Sequence, residues 1–307
     1  MIEFIVLPFS AAAFIYLIIS ITLLFMGIEN VAFNIRPAGE SKASIFSPFI
    51  RFVEGKMRRP KKKPPRSLCL SCLSLIAVYF FIPMGSLPQF ISVEGGFLIV
   101  IALLVLTQNF YIRGLKQYSR RVYSAIDRNL INVLFNFTMA LLLVLVTLSW
   151  YVLNIGVPGN IFSLDTYAAV PLSSVTNLWG HFGMIFFFFS LAAVSPCRKV
   201  RHTGLSEYAS LLEVYDAVRS TLCPAIITAI FIPLNIGLEL GLTGIPMYAA
   251  DFAFFWFKVL LVQVVVIPPV RSAYLKMKER LPRGWKSSPY LFLSYSGVAL
   301  FLANLYL

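Results

Sequence analysis

Residues 252–270 read Phe-Ala-Phe-Phe-Trp-Phe-Lys-Val-Leu-Leu-Val-Gln-Val-Val-Val-Ile-Pro-Pro-Val, nineteen positions with Lys258 as the one charge. At 1.5 Å per residue such a stretch covers roughly 28 Å, close to the hydrocarbon thickness of a bilayer. Outward from it, seven further apolar stretches lie at 4–28, 67–91, 95–112, 130–155, 178–194, 222–238 and 289–307. Each is long enough to cross with some tilt, so the pattern predicts an all-α polytopic membrane protein with eight transmembrane helices. The composition agrees: of 307 residues 59% are hydrophobic and 13% charged, the mean hydropathy is +0.81, and a soluble domain carries about 25% charged residues. A water-soluble globule is excluded. So is a large soluble catalytic domain, because no stretch between apolar segments exceeds about 40 residues, far short of an ordinary domain.

A net charge of +13 raises nucleic acid as a partner, but the distribution of charge follows membrane topology instead. The connections 29–66, 113–129, 195–221 and 271–288 hold 10, 5, 4 and 6 Lys/Arg, and Lys258 is the remaining one of 26. The alternate connections, around Glu94, Asp165 and 239–251, hold none. By the positive-inside rule the basic connections face inward and both termini face outward. The whole chain, 1–307, then reads as one transmembrane domain, with 29–66 as a basic inner loop and 195–221 as an inner loop carrying an acidic cluster. The expected location is the cell (plasma) membrane. The first span opens at Met1 with Glu3 in place of a basic n-region, which predicts a retained helix. The run Lys-Met-Arg-Arg-Pro-Lys-Lys-Lys-Pro-Pro-Arg at 56–66 reads first as an anchor on anionic headgroups, and second as a docking strip for an acidic soluble partner. No internal repeat of the transporter kind is present.

Few residues offer chemistry. His181 and His202 fall at opposite depths, which excludes a bis-His haem within the membrane. Cys69 and Cys72 share a helix face, but a structural metal site takes four ligands and no second pair is near; with Cys197 and Cys223 they read as small apolar residues. Phosphate loops, nucleophile elbows and zinc helices are missing. The sequon at Asn136 lies inside a span. Ionisable groups in the hydrocarbon cost at least about 2.5–3.5 kcal/mol on insertion scales, so those that occur are functional or paired. Lys258 has three readings: it snorkels outward, pairs with Asp251 or Glu239, or lies in an ion path. Gly237 and Gly241 around Glu239 read as a small-residue packing pair. In the 195–221 loop, Glu213 and Asp216 share a helical face and Glu207 lies almost two turns earlier. A row of carboxylates leading into the membrane relays protons in one reading and is a solvated amphipathic face in the other; spacing alone favours the second.

Several of these stretches together resemble the subunit 1 family of complex I membrane proteins and its relatives in the energy-converting [NiFe] hydrogenases. Ile28-Glu29-Asn30, Ala32 to Gly39 with Arg36, and Ser47 to Lys56 with Arg51 are similar to that family's first inner loop; Asn30 and Glu40 depart from it. Gly204-Leu205-Ser206-Glu207-Tyr208-Ala209-Ser210 resembles its Glu-Tyr-Ser-Gly turn, with Ala209 and Ser210 replacing the last pair. Phe255-Trp256-Phe257-Lys258, Val270-Arg271-Ser272-Ala273 and Gly284-Trp285-Lys286 before Pro289 look like its intramembrane Lys, Val-Arg-Ala exit and Gly-Trp-Lys lead-in to the last helix. The loop before Glu207 is shorter and more basic than the family's, which fits the hydrogenase branch better than a quinone-reducing complex.

The resemblance implies a membrane anchor and coupling subunit of a multisubunit redox complex, linking electron transfer in a docked soluble module to H⁺ or Na⁺ translocation. It implies no catalytic site or cofactor in this chain, with iron–sulfur clusters and NiFe in partner subunits. The implied partners are a hydrogenase-like large subunit and an iron–sulfur small subunit on the inner face, antiporter-like membrane subunits, and ferredoxin as electron donor or acceptor. Glu29, Glu207, Glu213, Asp216 and Lys258 are the implied ion-path or coupling residues; Arg36, Arg51, Lys56 and Arg271 are the implied docking residues. The rival readings are an alternating-access secondary transporter and a non-conducting assembly scaffold.

Overall fold

A computed structural model describes residues 2–33, 44–54, 64–86, 91, 95–118, 128–155, 178–195, 209–280 and 289–306. Helices α1 (Ile2–Ala32), α2 (Ser47–Val53), α3 (Arg66–Val78), α4 (Gly96–Tyr118) and α5 (Arg128–Ile155) are followed by α6 (Leu178–Val194) and α7 (Ala209–Phe231). The short α8 (Ile236–Glu239) precedes α9 (Ile245–Leu261), which passes through a π-helical turn (Val262–Val266) into α10 (Ile267–Arg280); α11 (Pro289–Tyr306) closes the chain. The architecture is all-helical. Among the described residues five stretches are long and apolar enough to cross a membrane: Ser10–Ala32, Gly96–Lys116, Val133–Leu153, Leu211–Phe231 and Ile245–Arg280. Three shorter apolar helices, Arg66–Phe81, Leu178–Val194 and Tyr290–Ala303, lie among them. This is the make-up of a membrane protein.

The helices match the apolar stretches of the sequence in place but not in their ends. Hydropathy puts the sixth stretch at 222–238, yet α7 begins thirteen residues earlier and stops at Phe231. It stops there because Pro233 cannot donate to the carbonyl a turn earlier and drives Ile232 out of the helical region. Its early start is hidden from hydropathy by Glu213, Asp216 and Arg219, polar residues that the fold pairs off. Residues 209–221, expected in an inner loop, are therefore helix. The seventh stretch, expected at 252–270, starts at Ile245 and continues to Arg280. Pro268 and Pro269 leave the preceding carbonyls without amide donors, and the helix widens there into the π turn instead of breaking. In the second stretch, helix gives way after Phe81 to a turn carrying Pro83 and Gly85.

Helix α7 is the hub, packed by α1, α3, α6 and α9, and its apolar window is buried along the whole of its length. The tightest pair is α6 with α11, where Gly183 and Gly297 bring the two backbones together. The Ser190 and Ser294 hydroxyls bond to each other across that interface. Lipid supplies no hydrophobic drive between helices, so close backbone approach through small residues contributes much of the association. A Cβ on Gly297 would stand 2.7 Å from Phe187 ring carbons and 3.2 Å from the Gly183 carbonyl, and Phe187 is fully buried against Phe301. Gly297→Ala is expected to cost about 1–3 kcal/mol through overpacking. Thermal unfolding in detergent checks this: an unchanged midpoint would mean that the α6–α11 contact is looser than these distances imply.

Candidate functional site

Among the described residues, two groupings of charged and polar side chains touch α7. The first surrounds the break after α7. The last carbonyls of a helix have no partner within it and must find one elsewhere when buried. Just past the end of α7, Lys258 on α9 supplies donors: its Nζ donates to the carbonyls of Ile232 at 2.7 Å and Leu234 at 2.6 Å, and the Phe254 ring faces the charge at 5.1 Å. Two turns earlier on α9, Asp251 accepts the Gly237 N–H through Oδ1 at 2.6 Å. A cation thus sits at the carbonyl end of α7 and a carboxylate at the amide of α8, each sign where exposed backbone dipoles favour it.

Asp251 is 1% exposed and Lys258 6%, and glycines make room for the former. Gly85, with φ +75°, would place a Cβ 2.9 Å from the Asp251 Cβ, and a Cβ on Gly237 would meet the Asp251 Oδ1 at 3.0 Å. A cavity of about 20 Å³ at the break is lined by Gly85, Thr228, Ile232, Asn235, Phe255 and Lys258 among others.

The second grouping lies on the N-terminal half of α7. Glu213 accepts from Arg51 of α2 at 3.0 Å. One turn on, Asp216 pairs with Arg219 at 3.1 Å, with side chains 7% and 5% exposed. Tyr215 stacks on Tyr111 of α4 with ring centroids 4.6 Å apart, and the Arg219 guanidinium lies 5.7 Å above the Tyr215 ring. The Tyr79 hydroxyl donates to the Val218 carbonyl at 3.2 Å. Glu29, near the end of α1, is buried at 3% exposure beside the fully buried Asn30. Arg271 on α10 donates to the Ser195 carbonyl at 2.7 Å, where a cation completes the C-terminal end of α6.

Of the residues singled out in the sequence, Glu213 and Arg51 meet each other, Asp216 meets a residue of its own helix, and Lys258 meets backbone. It does not bond to Glu239, which is exposed. Glu207, Arg36 and Lys56 lie outside the described residues, as do His202 and Cys197. Among the described residues no group of three or more His, Cys, Asp or Glu is placed to hold a metal ion.

Three participants escape a reading of the sequence. Arg219 counts there among the loop cations, whereas it is buried in α7. Asp251 stands out only as a partner for Lys258, whereas it bonds to a backbone amide. Gln263 does not stand out at all; it lies in the π turn, 3% exposed, and neither amide atom has a hydrogen-bond partner. An amide in the middle of an apolar run is the signal that could have found it.

No protein-family model matches the chain, and no curated protein does. Among solved structures it is similar to a chain of the membrane-bound sulfane sulfur reductase, an archaeal respiratory membrane complex. That match has a TM-score of 0.63 at 14% identity and covers 96% of this chain and 99% of the other. At that identity the likeness shows a common fold, one used end to end in both chains.

Proposed function

We propose that the chain is a membrane subunit of a multisubunit respiratory redox complex, crossing the membrane eight times with both ends outside. In this reading it anchors a soluble electron-transfer module on its basic inner face and couples electron transfer there to H⁺ or Na⁺ movement. The observation that carries the proposal is the full-length likeness in fold to a chain of a respiratory membrane complex; from fold to function the step is analogy. The charge pattern supports an inner docking face, with Arg36, Lys56 and the 56–66 run as its cations. In this reading Glu207, Glu213, Asp216 and Glu29 are the acidic approach to the membrane, and Lys258 is the charged group within it. The partners are an iron–sulfur subunit, a hydrogenase-like large subunit and antiporter-like membrane subunits, which relates the chain to subunit 1 of complex I and to the energy-converting hydrogenases. Iron–sulfur clusters and NiFe belong to those partners. The similar chain comes from a sulfane sulfur reductase, which adds sulfane sulfur reduction to hydrogen chemistry as the reaction of the docked module.

The interrupted helix at 232–235 favours a second reading, an alternating-access transporter, since such breaks mark transporter sites. Against it stands the size of the cavity there, about 20 Å³, on the scale of one water and too small for a metabolite. Purification of the tagged protein from its native membrane in mild detergent tests the proposal. Recovery of iron–sulfur and hydrogenase-like subunits, with iron in the eluate and hydrogen- or sulfur-linked electron transfer, is the expected result. A stable, solitary, metal-free protein that transports a solute in vesicles would replace the proposal with the second reading.

A further inference from the structure

Thr228 lies on α7 one turn before its end, fully buried, and its Oγ1 has no hydrogen-bond partner. That is unusual in this molecule. Thr138, Thr147 and Thr221 each donate to the carbonyl one turn earlier in their own helix, which is how a hydroxyl is satisfied in apolar surroundings. Thr228 instead lines the cavity at the helix break, together with Lys258. The Lys258 ammonium has three N–H donors, and two of them go to the Ile232 and Leu234 carbonyls. Lys258 and Thr228 thus line the same small space, with one ammonium N–H beyond those two bonds, and no hydrogen bond joins the two side chains. Leaving a buried hydroxyl unpaired is costly, and a space of about 20 Å³ exceeds the roughly 10–15 Å³ that one water requires.

We propose that this cavity is a water-binding site, in which an ordered water accepts from the Lys258 ammonium and bonds to the Thr228 hydroxyl. Water suits the site better than an ion: it both donates and accepts, whereas the ammonium repels a cation and the two carbonyls beside it repel an anion. The water is the third partner of Lys258 and, where the coupling reading holds, the group to which Lys258 can pass a proton within the membrane.

A double-mutant cycle tests the site on the purified protein in detergent, with any partners that accompany it. Thr228→Val keeps the shape and removes the hydroxyl. With Lys258 present it is expected to lower the unfolding midpoint by about 2–4 °C; in the Lys258→Met background it is expected to have no further effect, and Thr228→Ser to retain the wild-type midpoint. Since Thr228 and Lys258 do not bond directly, coupling between them reports the water. Should Lys258→Met fail to accumulate, hydroxyl-radical footprinting of the unaltered protein reads the site directly. Phe255 lines the cavity at 2% exposure and is expected to be oxidised by radicals formed from the bound water, with loss of that label in Thr228→Val. Phe137, fully buried in the apolar core, is expected to stay unlabelled. A neutral or stabilising Thr228→Val with Lys258 in place, or an unlabelled Phe255, means a dry cavity and overturns the proposal. Neither readout needs a redox partner, so absence of partners would end the coupling reading and leave the water site standing.

Discussion

Lys258→Met is expected to destabilise the protein by about 2–5 kcal/mol, because it strips two carbonyls at the helix break of a charged donor and removes the cation near a buried carboxylate. The carbonyls are those of Ile232 and Leu234, where α7 ends; the carboxylate is Asp251, 1% exposed, whose Oδ2 has no hydrogen-bond partner. Against a total stability of about 5–15 kcal/mol this is a large share, and it should show as loss of folded protein from the membrane and a lower unfolding midpoint. Lys258→Arg keeps charge and donors and is expected to recover part of both. The pair of variants separates two roles. If Lys258 only ties the break together, Lys258→Arg restores coupling along with stability; if its proton moves, Lys258→Arg restores stability alone, since a guanidinium does not deprotonate in proteins. A Lys258→Met protein as stable as the original would show that the break is held by other contacts.

The second large effect concerns the buried pair on α7. Arg219→Met removes the cation from Asp216, whose side chain is 7% exposed, and a lone buried charge costs about 3–5 kcal/mol. Replacing both, as Asp216→Leu with Arg219→Met, is expected to return the midpoint to the wild-type value or above, because two well-packed apolar side chains commonly match or exceed a buried ion pair. The double variant also tests the acidic approach proposed for this helix. A complex that assembles with it, transfers electrons and no longer moves ions into vesicles would assign the carboxylate of Asp216 to coupling. Full ion movement would leave the pair as a structural device and shift attention to Glu207 and Glu213.

Glu213 illustrates why such assignments need the fold. By spacing, Glu213 and Asp216 share a helix face, and both read as members of one solvated or proton-relaying row. In the structure each is committed to a different cation. Arg51, 162 positions away along the chain, takes Glu213, and Arg219 takes Asp216. Arg51, a docking residue by resemblance, has an internal ion pair at 28% side-chain exposure. Nothing in a local window announces that a loop arginine and a helix glutamate will meet.

Hydropathy is enough to establish that the chain is helical and built for a membrane, and where its apolar helices fall, because it is a sum over neighbouring residues and needs no knowledge of partners. It also marks Lys258, since a single charge in nineteen apolar positions stands out against its surroundings. How far each helix runs, and what its polar groups do, emerges only from the packed helices. The early start of α7 depends on a distant partner, Arg51, that makes Glu213 tolerable there, and on Arg219, which pairs with Asp216 within the helix. The place of Lys258 depends on a break twenty-odd residues earlier, whose carbonyls are satisfied by a side chain from another helix. For Glu213 and Lys258 the cost of burying a polar group is local, while the group that offsets it is supplied by packing of separate segments.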